Sequence, residues 1–328
     1  MEKSVQKQKP IRAYAPASIG NFAVGFDVLG AALRPIDGNP WGDVVEVGPA
    51  DDSARQTTLS VEGPFGHLIP NDATNLVMVS WELYHRKLRQ KRKSIPHVSL
   101  TLYKNLPLCS GLGSSASSVA ATLRAANVFF DHALKEETLL QLAGRAEGTV
   151  SGAVHLDNVA PALLGGLRLI TPGGIRQPER AFPLPFFDHW RIVVIHPNLS
   201  VPTRKARQVL PPAIPLFDAV AYWQNFGAFI HALHSADEEL AAITLRDILI
   251  EGYRRRLVRG FGQVKTTAMK YGALGCSLSG SGPSIFAVTD SDQTARRVKA
   301  AMIAAFKMRG IASDGHICVL DQDGAREC

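Results

Sequence analysis

The pattern of apolar residues predicts a mixed α/β or α+β protein of two domains. Three observations lead there. Strand-like and helix-like segments alternate in both halves of the chain. At 328 residues the chain is too long for one compact core and comfortable for two domains of ordinary size. Between the halves, Pro172 to Pro185 holds four prolines and two glycines, so it cannot be one regular element. The boundary is set just before it, giving an N-terminal domain over 11–170 and a C-terminal domain over 171–328.

Taken in order, Asn75 to Leu88 reads as a helix, and the alternation of Val98, Leu100 and Leu102 as a strand with one buried face. A turn rich in glycine and serine follows, Ser110-Gly111-Leu112-Gly113-Ser114-Ser115. Ala116 to Phe130, rich in alanine and free of glycine and proline, reads as a helix. A second helix is expected from Glu137 to Glu147, and strands over Gly166 to Ile170 and Arg191 to Ile195. Beyond them, helical patterns span Leu216 to His234, Glu238 to Glu251 and Phe261 to Tyr271. Strands over Ser284 to Val288 and His316 to Leu320 flank a last helix, Gln293 to Met308.

Composition narrows the class. With 46% hydrophobic and 20% charged residues, the chain has the profile of a folded soluble protein. No apolar run reaches the ~18 residues that would span a bilayer. Met1 to Pro10 is polar, without an apolar core, so it reads as a loose tail rather than a signal peptide, and the expected location is the cytoplasm. Cys109, Cys276, Cys318 and Cys328 form no CxxC pair, which argues against a disulfide framework or a zinc site. All but Cys328 are expected to be small buried hydrophobes. The net charge of +7 and the cluster Arg86, Lys87, Arg89, Lys91, Arg92, Lys93 raise the question of nucleic acid. The cluster follows a helix, where the dipole favours cations. No aromatics interleave with it and no RNA- or DNA-binding pattern occurs, so no nucleic-acid partner is expected.

Three motifs carry chemistry. In the strand-turn-helix Pro107 to Ser118, two close glycines let backbone N–H groups converge into an anion nest, and the helix that follows adds its free N–H groups. Ser114 and Ser115 can complete such a cradle or reach a metal ion. There is no GxxxxGK[ST], so this is not a Walker loop, and a chance turn before a helix would share the pattern. The second motif, Leu278-Ser279-Gly280-Ser281-Gly282-Pro283-Ser284, permits close backbone approach to a ligand and reads equally well as a hairpin turn. In the third, Pro16 to Asp27, polar Asn21 and Asp27 bracket an apolar loop containing glycine.

In this order and spacing the three segments resemble the motifs of the GHMP kinases, the superfamily of galactokinase, homoserine kinase, mevalonate kinase and phosphomevalonate kinase. Asn21 with Gly25-Phe26-Asp27-Val28-Leu29-Gly30, and His155-Leu156-Asp157-Asn158-Val159-Ala160-Pro161, are similar to the bacterial homoserine kinase branch. Thr203 to Pro211 and Glu251 to Leu257 extend the likeness through the second half.

The resemblance implies an α+β GHMP kinase fold, with an N-terminal ATP-binding domain like the second domain of ribosomal protein S5 and a ferredoxin-like C-terminal domain. It implies transfer of phosphate from ATP to the hydroxyl of L-homoserine, in threonine biosynthesis. ATP would lie over Pro107, Ser110, Gly111, Leu112, Gly113, Ser114, Ser115, Ala116 and Ser117. Ser115 and Glu147 would hold Mg2+, a hard cation that needs few protein groups when phosphates supply the rest. Arg207 and Arg254 would take the substrate carboxylate by charge-assisted contacts, and Asp27 and Asp157 its ammonium. Asn21, His155 and Thr203 would line the remainder. The resemblance also allows a homodimer.

Two departures from the family pattern stand out. Cys109 occupies a usual glycine position of the phosphate loop, which matters if that position needs a positive φ. Phe22 and Ala23 replace the more usual aliphatic residue and glycine of the first motif. Mevalonate-type relatives carry an aspartate base where this chain has Asn158, which accepts no proton at neutral pH. Catalysis here is therefore expected to rest on positioning and charge neutralisation by Asn158, Ser115 and Glu147.

Overall fold

Antiparallel pairing dominates both sheets of the protein, which decides the open question of class in favour of α+β. The structure is a computed structural model that describes residues 8–51, 56–91, 94–151, 154–173 and 178–328. Residues 1–7 of the expected tail, Arg92 and Lys93 of the basic cluster, and residues 174–177 of the proline-rich stretch lie outside the described residues.

The first elements are β1 (Ile11–Pro16), β2 (Ser18–Gly20), β3 (Leu29–Pro35), β4 (Gly42–Pro49) and β5 (Thr58–Glu62). Then come α1 (Leu76–Arg89), β6 (Val98–Tyr103), α2 (Ser114–Phe129), α3 (Glu136–Ser151), α4 (Val159–Leu164), β7 (Leu167–Thr171) and β8 (Arg180–Leu184). The later part holds β9 (Arg191–Pro197), α5 (Thr203–Gln208), α6 (Leu216–Ser235), α7 (Glu238–Thr244), α8 (Ile250–Arg254) and α9 (Phe261–Lys270). It closes with β10 (Gly275–Leu278), β11 (Ile285–Thr289), α10 (Asp292–Lys307), β12 (Ser313–Leu320) and β13 (Arg326–Glu327).

One sheet runs β13-β1-β4-β6-β5, and α2 packs across β1 and β4. Among the described residues only β5 with β6 is parallel. Small residues on α2, including Ala116, Ala120, Ala121 and Ala125, allow the close approach and are fully buried there. The other sheet runs β10-β11-β9-β12-β3-β7-β8, with β2 paired to β3, and so takes strands from both sides of residue 170. Its segment β10-β11-β9-β12 has the order 2-3-1-4 when its four strands are numbered along the chain, the ferredoxin-like arrangement.

Most of the anticipated elements form within a residue or two of their expected ends. Asn75 is the N-cap of α1, its side chain accepting from Val77 N at 2.9 Å. Arg86, Lys87 and Arg89 fall in its last turn, where the dipole favours them. The single helix expected from Glu238 to Glu251 is instead two. Asn225 Nδ2 takes the carbonyls of Thr244 and Arg246, and Asp247 accepts from the N–H groups of Leu249, Ile250 and Glu251. Those bonds end α7 and cap α8. Cys276 and Cys318 are buried as expected, but Cys109 is exposed, because the turn that carries it lies at a cavity mouth.

Candidate active site

The left-handed backbone of two loops builds the site. After β2, Asn21, Phe22 and Ala23 have φ of 68°, 40° and 61°, and Asp27 follows at 58°. This run turns Phe22 inward, where it stacks on Phe286 at 5.3 Å and is fully buried, contributing about 1.5–3 kcal/mol. It turns Asn21 the other way, toward the neighbouring loops. Asn21 Oδ1 accepts from Asp27 N at 3.0 Å, and its Nδ2 donates to Gly280 O at 3.0 Å. Both ends of that carboxamide are engaged by the protein, so Asn21 braces the first loop against the third motif.

The phosphate-loop candidate turns through Cys109, Gly111 and Gly113, with φ of 50°, 78° and 62°. The Cys109 position therefore does adopt the conformation that glycine makes easiest. Gly113 is the N-cap of α2 and brings no side chain to cap it, which leaves the first-turn N–H groups without a side-chain cap from that position. A Cβ at Gly113 would also lie 3.0 Å from Asn158 Oδ1 and closer still to Ser18 Oγ. The hairpin reading of Leu278 to Ser284 holds. β10 and β11 form the hairpin, and its loop packs on the phosphate loop, with Ser279 Oγ donating to Gly111 O at 2.5 Å.

A cavity of about 450 Å³ collects these parts. Asn21, Asp27, Glu147, His155, Asp157, Asn158, Thr203, Arg207 and Arg254 all line it, with Ser110, Gly111, Gly113, Ser114 and Ser115 of the loop. Pro107, Leu112, Ala116 and Ser117 do not. Leu112 and Ala116 are core residues, and Ser117 Oγ is spent on Ala15 O at 2.7 Å and Asp43 N at 2.8 Å. Ser114 Oγ likewise donates inward, to Leu106 O at 3.2 Å.

At one end, Ser115 Oγ donates to Glu147 Oε1 at 2.6 Å. Burial pushes the Glu147 carboxyl up, while that hydrogen bond and the charge of Lys104 hold it down. Lys104, which composition and motifs did not single out, is buried against Asp43. Its Nζ also donates to Ser114 O at 2.7 Å and Ser118 Oγ at 3.0 Å, tying β6 to the start of α2. The signal available for it was slight: a lone lysine three residues before Pro107 in an apolar strand end.

At the other end the charges gather. Arg207 donates from both terminal nitrogens to Asp27, at 3.1 and 2.8 Å. Arg254 is buried, donating to Ala206 O and Gly280 O at 3.2 Å each, with its guanidinium 4.9 Å from the Phe26 ring centre. His155 Nδ1 is 3.7 Å from Asp27 Oδ2, and its buried Nε2 has no partner among the described residues. Burial lowers the imidazole, with Asp27 opposing. Asp157 is 5% exposed and its carboxylate meets no hydrogen bond among the described residues. Burial first, and then the negative charge of Asp27, push its carboxyl up to about 7, with Arg207 and Arg254 pulling the other way.

Asn158 joins the two ends. Its Oδ1 accepts from Ser18 Oγ at 3.0 Å beside the phosphate loop, while Asp157, the next residue back, answers to the charges of the far end. Ile69, Pro70, Thr74 and Leu76 close one wall and were missed, since nothing in their sequence pattern differs from an ordinary loop before a helix.

Comparison with known proteins agrees with the fold and motifs. The family description "GHMP kinases N terminal domain" matches residues 75–166, and "GHMP kinases C terminal" matches residues 224–307. The homoserine kinase from Cytophaga hutchinsonii is 35% identical, covers 98% of each chain and superposes with a TM-score of 0.89. The mevalonate kinase of L. major, solved with R-mevalonate, is 17% identical over 95% of this chain and 97% of that one, with a TM-score of 0.63. The Streptococcus pneumoniae phosphomevalonate kinase is 13% identical over 95% and 99%, with a TM-score of 0.71. The last two share the fold alone. The chain belongs to the GHMP kinases, and as one of them it is an ATP-dependent phosphotransferase. Because similar folds serve different acceptors, the acceptor has to be read from the site.

Proposed function

We propose that this kinase transfers the γ-phosphate of ATP to the side-chain hydroxyl of L-homoserine, giving O-phospho-L-homoserine for threonine biosynthesis. The observation that carries this reading is the charge make-up of one cavity. Two arginines and two aspartates, Arg207, Arg254, Asp27 and Asp157, line the cavity together with Ser115 and Glu147. That set suits the carboxylate and ammonium of an amino acid. Mevalonate has a carboxylate and no ammonium, and a sugar has neither, so neither would answer both the arginines and the aspartates. Likeness to the Cytophaga hutchinsonii homoserine kinase supports the same acceptor.

On this reading the outer phosphates of ATP take the N–H groups at the start of α2, and Arg207 and Arg254 hold the homoserine carboxylate. Ser115 and Glu147 offer a hydroxyl and a carboxylate already in contact, an all-oxygen pair that fits a magnesium ion. Bound there, magnesium would neutralise charge on the phosphates. Among the described residues no group of three or more His, Cys, Asp or Glu converges on a metal position, which accords with an ion held mainly by phosphate and water.

Asn158 Nδ2 has no protein partner among the described residues, because Ser18 engages only Oδ1. On this reading it orients the acceptor hydroxyl. The hydroxyl oxygen forms a bond to the γ-phosphorus as the bond to the β–γ bridging oxygen breaks. ADP leaves, and the hydroxyl proton passes late to a phosphate oxygen. A loose transition state of this kind needs little help from a base. An ADP-release assay with and without L-homoserine, followed by phosphorus NMR of the product, tests the assignment. A higher kcat/KM for mevalonate or a sugar overturns it.

A further inference from the structure

The two groups expected to grip opposite ends of the acceptor grip each other in this structure. Arg207 offers both terminal nitrogens to Asp27, at 3.1 and 2.8 Å, a two-pronged pair of the kind a substrate carboxylate would make. The pair sits at the cavity rim, with side chains 31% and 28% exposed. Asp27 is not free to swing away at no cost. Its φ is +58°, and its N–H is held by Asn21 Oδ1, which is itself tied to the hairpin loop through Gly280. Arg254 gives Nε and Nη1 to two carbonyls, and His155, with Nδ1 3.7 Å from Asp27 Oδ2, is an imidazole whose charged form burial disfavours.

We propose that Asp27 is a specificity-determining residue that plugs Arg207, so that only an acceptor carrying both a carboxylate and an ammonium can open the pair. This deepens the reading of the acceptor as an amino acid and rests on it. A carboxylate that takes the Arg207 fork must displace Asp27. If the same molecule brings an ammonium, Asp27 exchanges one cation for another, and two ion pairs stand where there was one. A carboxylate alone leaves Asp27 with only the half-buried His155 imidazole for a partner, next to a second carboxylate, Asp157, and next to the incoming anion. An amine alone strands Arg207 beside Arg254 in the same way. The pair thus adds repulsion against half-matched acceptors to the attraction for the matched one, and specificity is gained from both.

The consequence separates this role from simple contact with the ammonium. If Asp27 only touched the ammonium, Asp27→Asn would weaken L-homoserine and leave a des-amino acceptor unaffected. As a plug, its neutralisation frees Arg207. L-homoserine then binds more weakly while 4-hydroxybutyrate, the same molecule without its amine, binds more tightly, by about tenfold or more for a single charge-assisted contact. Asn suits the left-handed backbone well. Asp27→Gly supplies a second variant in which that conformation carries no steric cost.

Calorimetric titration of wild type and both variants with L-homoserine and with 4-hydroxybutyrate decides the matter, with ATP-analogue affinity as the check that each variant is folded. Opposite shifts for the two ligands in either folded variant support the plug. An unchanged or weaker affinity for 4-hydroxybutyrate in both folded variants overturns it. The acceptor assignment is judged separately, by wild-type turnover of L-homoserine. If wild type turns it over and the variants gain nothing for 4-hydroxybutyrate, the plug falls and the assignment stands. If wild type neither binds nor phosphorylates L-homoserine, the assignment falls and takes the zwitterion requirement with it.

Discussion

Asp157→Asn should change how the stability of the ligand-free protein depends on pH, and the size of the change follows from the burial of that carboxyl. In the folded protein it is pushed up to about 7 from an ordinary value of 3.8. A carboxylic acid whose folded pKa lies above its unfolded one keeps a proton that the unfolded chain has released. Raising the pH through that interval favours the unfolded chain, which binds fewer protons, and so lowers stability until the native carboxyl also ionises. Linkage over the pH range from about 5 to about 8 then gives a loss on the order of 2–3 kcal/mol from this one group. The Asn variant lacks that loss. Any fixed cost of burying the amide is the same at every pH, so the informative quantity is the difference between the two proteins as pH rises. Urea denaturation at intervals from pH 5 to pH 8, without substrate, measures it. The variant should gain steadily on wild type across the range and weaken homoserine binding at the same time, the usual exchange of stability for function at a charged site. A difference that stays flat would mean that Asp157 is already ionised and paired at pH 5, and the account of its burial would be wrong.

Glu147→Gln keeps the shape beside Ser115 and removes the charge; kcat should fall by about tenfold or more with a raised magnesium requirement, and normal turnover at ordinary magnesium would make the carboxylate structural. Asn158→Asp should slow transfer, since it puts a negative charge beside the γ-phosphate and next to Asp157. A faster variant whose kcat profile shows a new acidic-limb pKa would replace positioning with base catalysis. Cys109→Gly removes a Cβ from a φ of 50°, where a left-handed side chain costs about 1–2 kcal/mol against the ~0.5–1 kcal/mol of added chain entropy for glycine. Stability should rise by up to about 1 kcal/mol with ATP affinity little changed, and a lower Tm would show that the thiol packs usefully at the cavity mouth.

How far the site was legible depended on whether a residue's role is local. The glycine-rich loop before α2 stood out because two glycines, five serines and a following helix lie within a dozen residues, a pattern whose backbone can make an anion nest. Its inward-facing members were not separable: Ser114, Ser115 and Ser117 look alike in sequence, and only the helix phase sends Ser115 to Glu147 while Ser117 goes to Ala15 O. Lys104 with Asp43 escaped notice for the same reason, since a buried ion pair joins residues 61 positions apart. The helix expected from Glu238 to Glu251 failed because Asn225, on another helix, takes the carbonyls that would have continued it.

From residues alone, then, the alternation of strands and helices, a glycine- and serine-rich loop before a helix and the charged residues proposed for the acceptor could be picked out, because periodicity, glycine and side-chain charge are properties of short segments. The choice of α+β over α/β came from strand pairing, which depends on partners distant in the chain. Tertiary structure also decided that Asn21 braces loops with both ends of its amide, that Asp157 is buried enough to hold a proton near neutrality, and that Arg207 and Asp27 face each other. Each of those facts is a distance or a solvent exposure between segments, and free energies of ionisation and pairing follow those quantities rather than residue type.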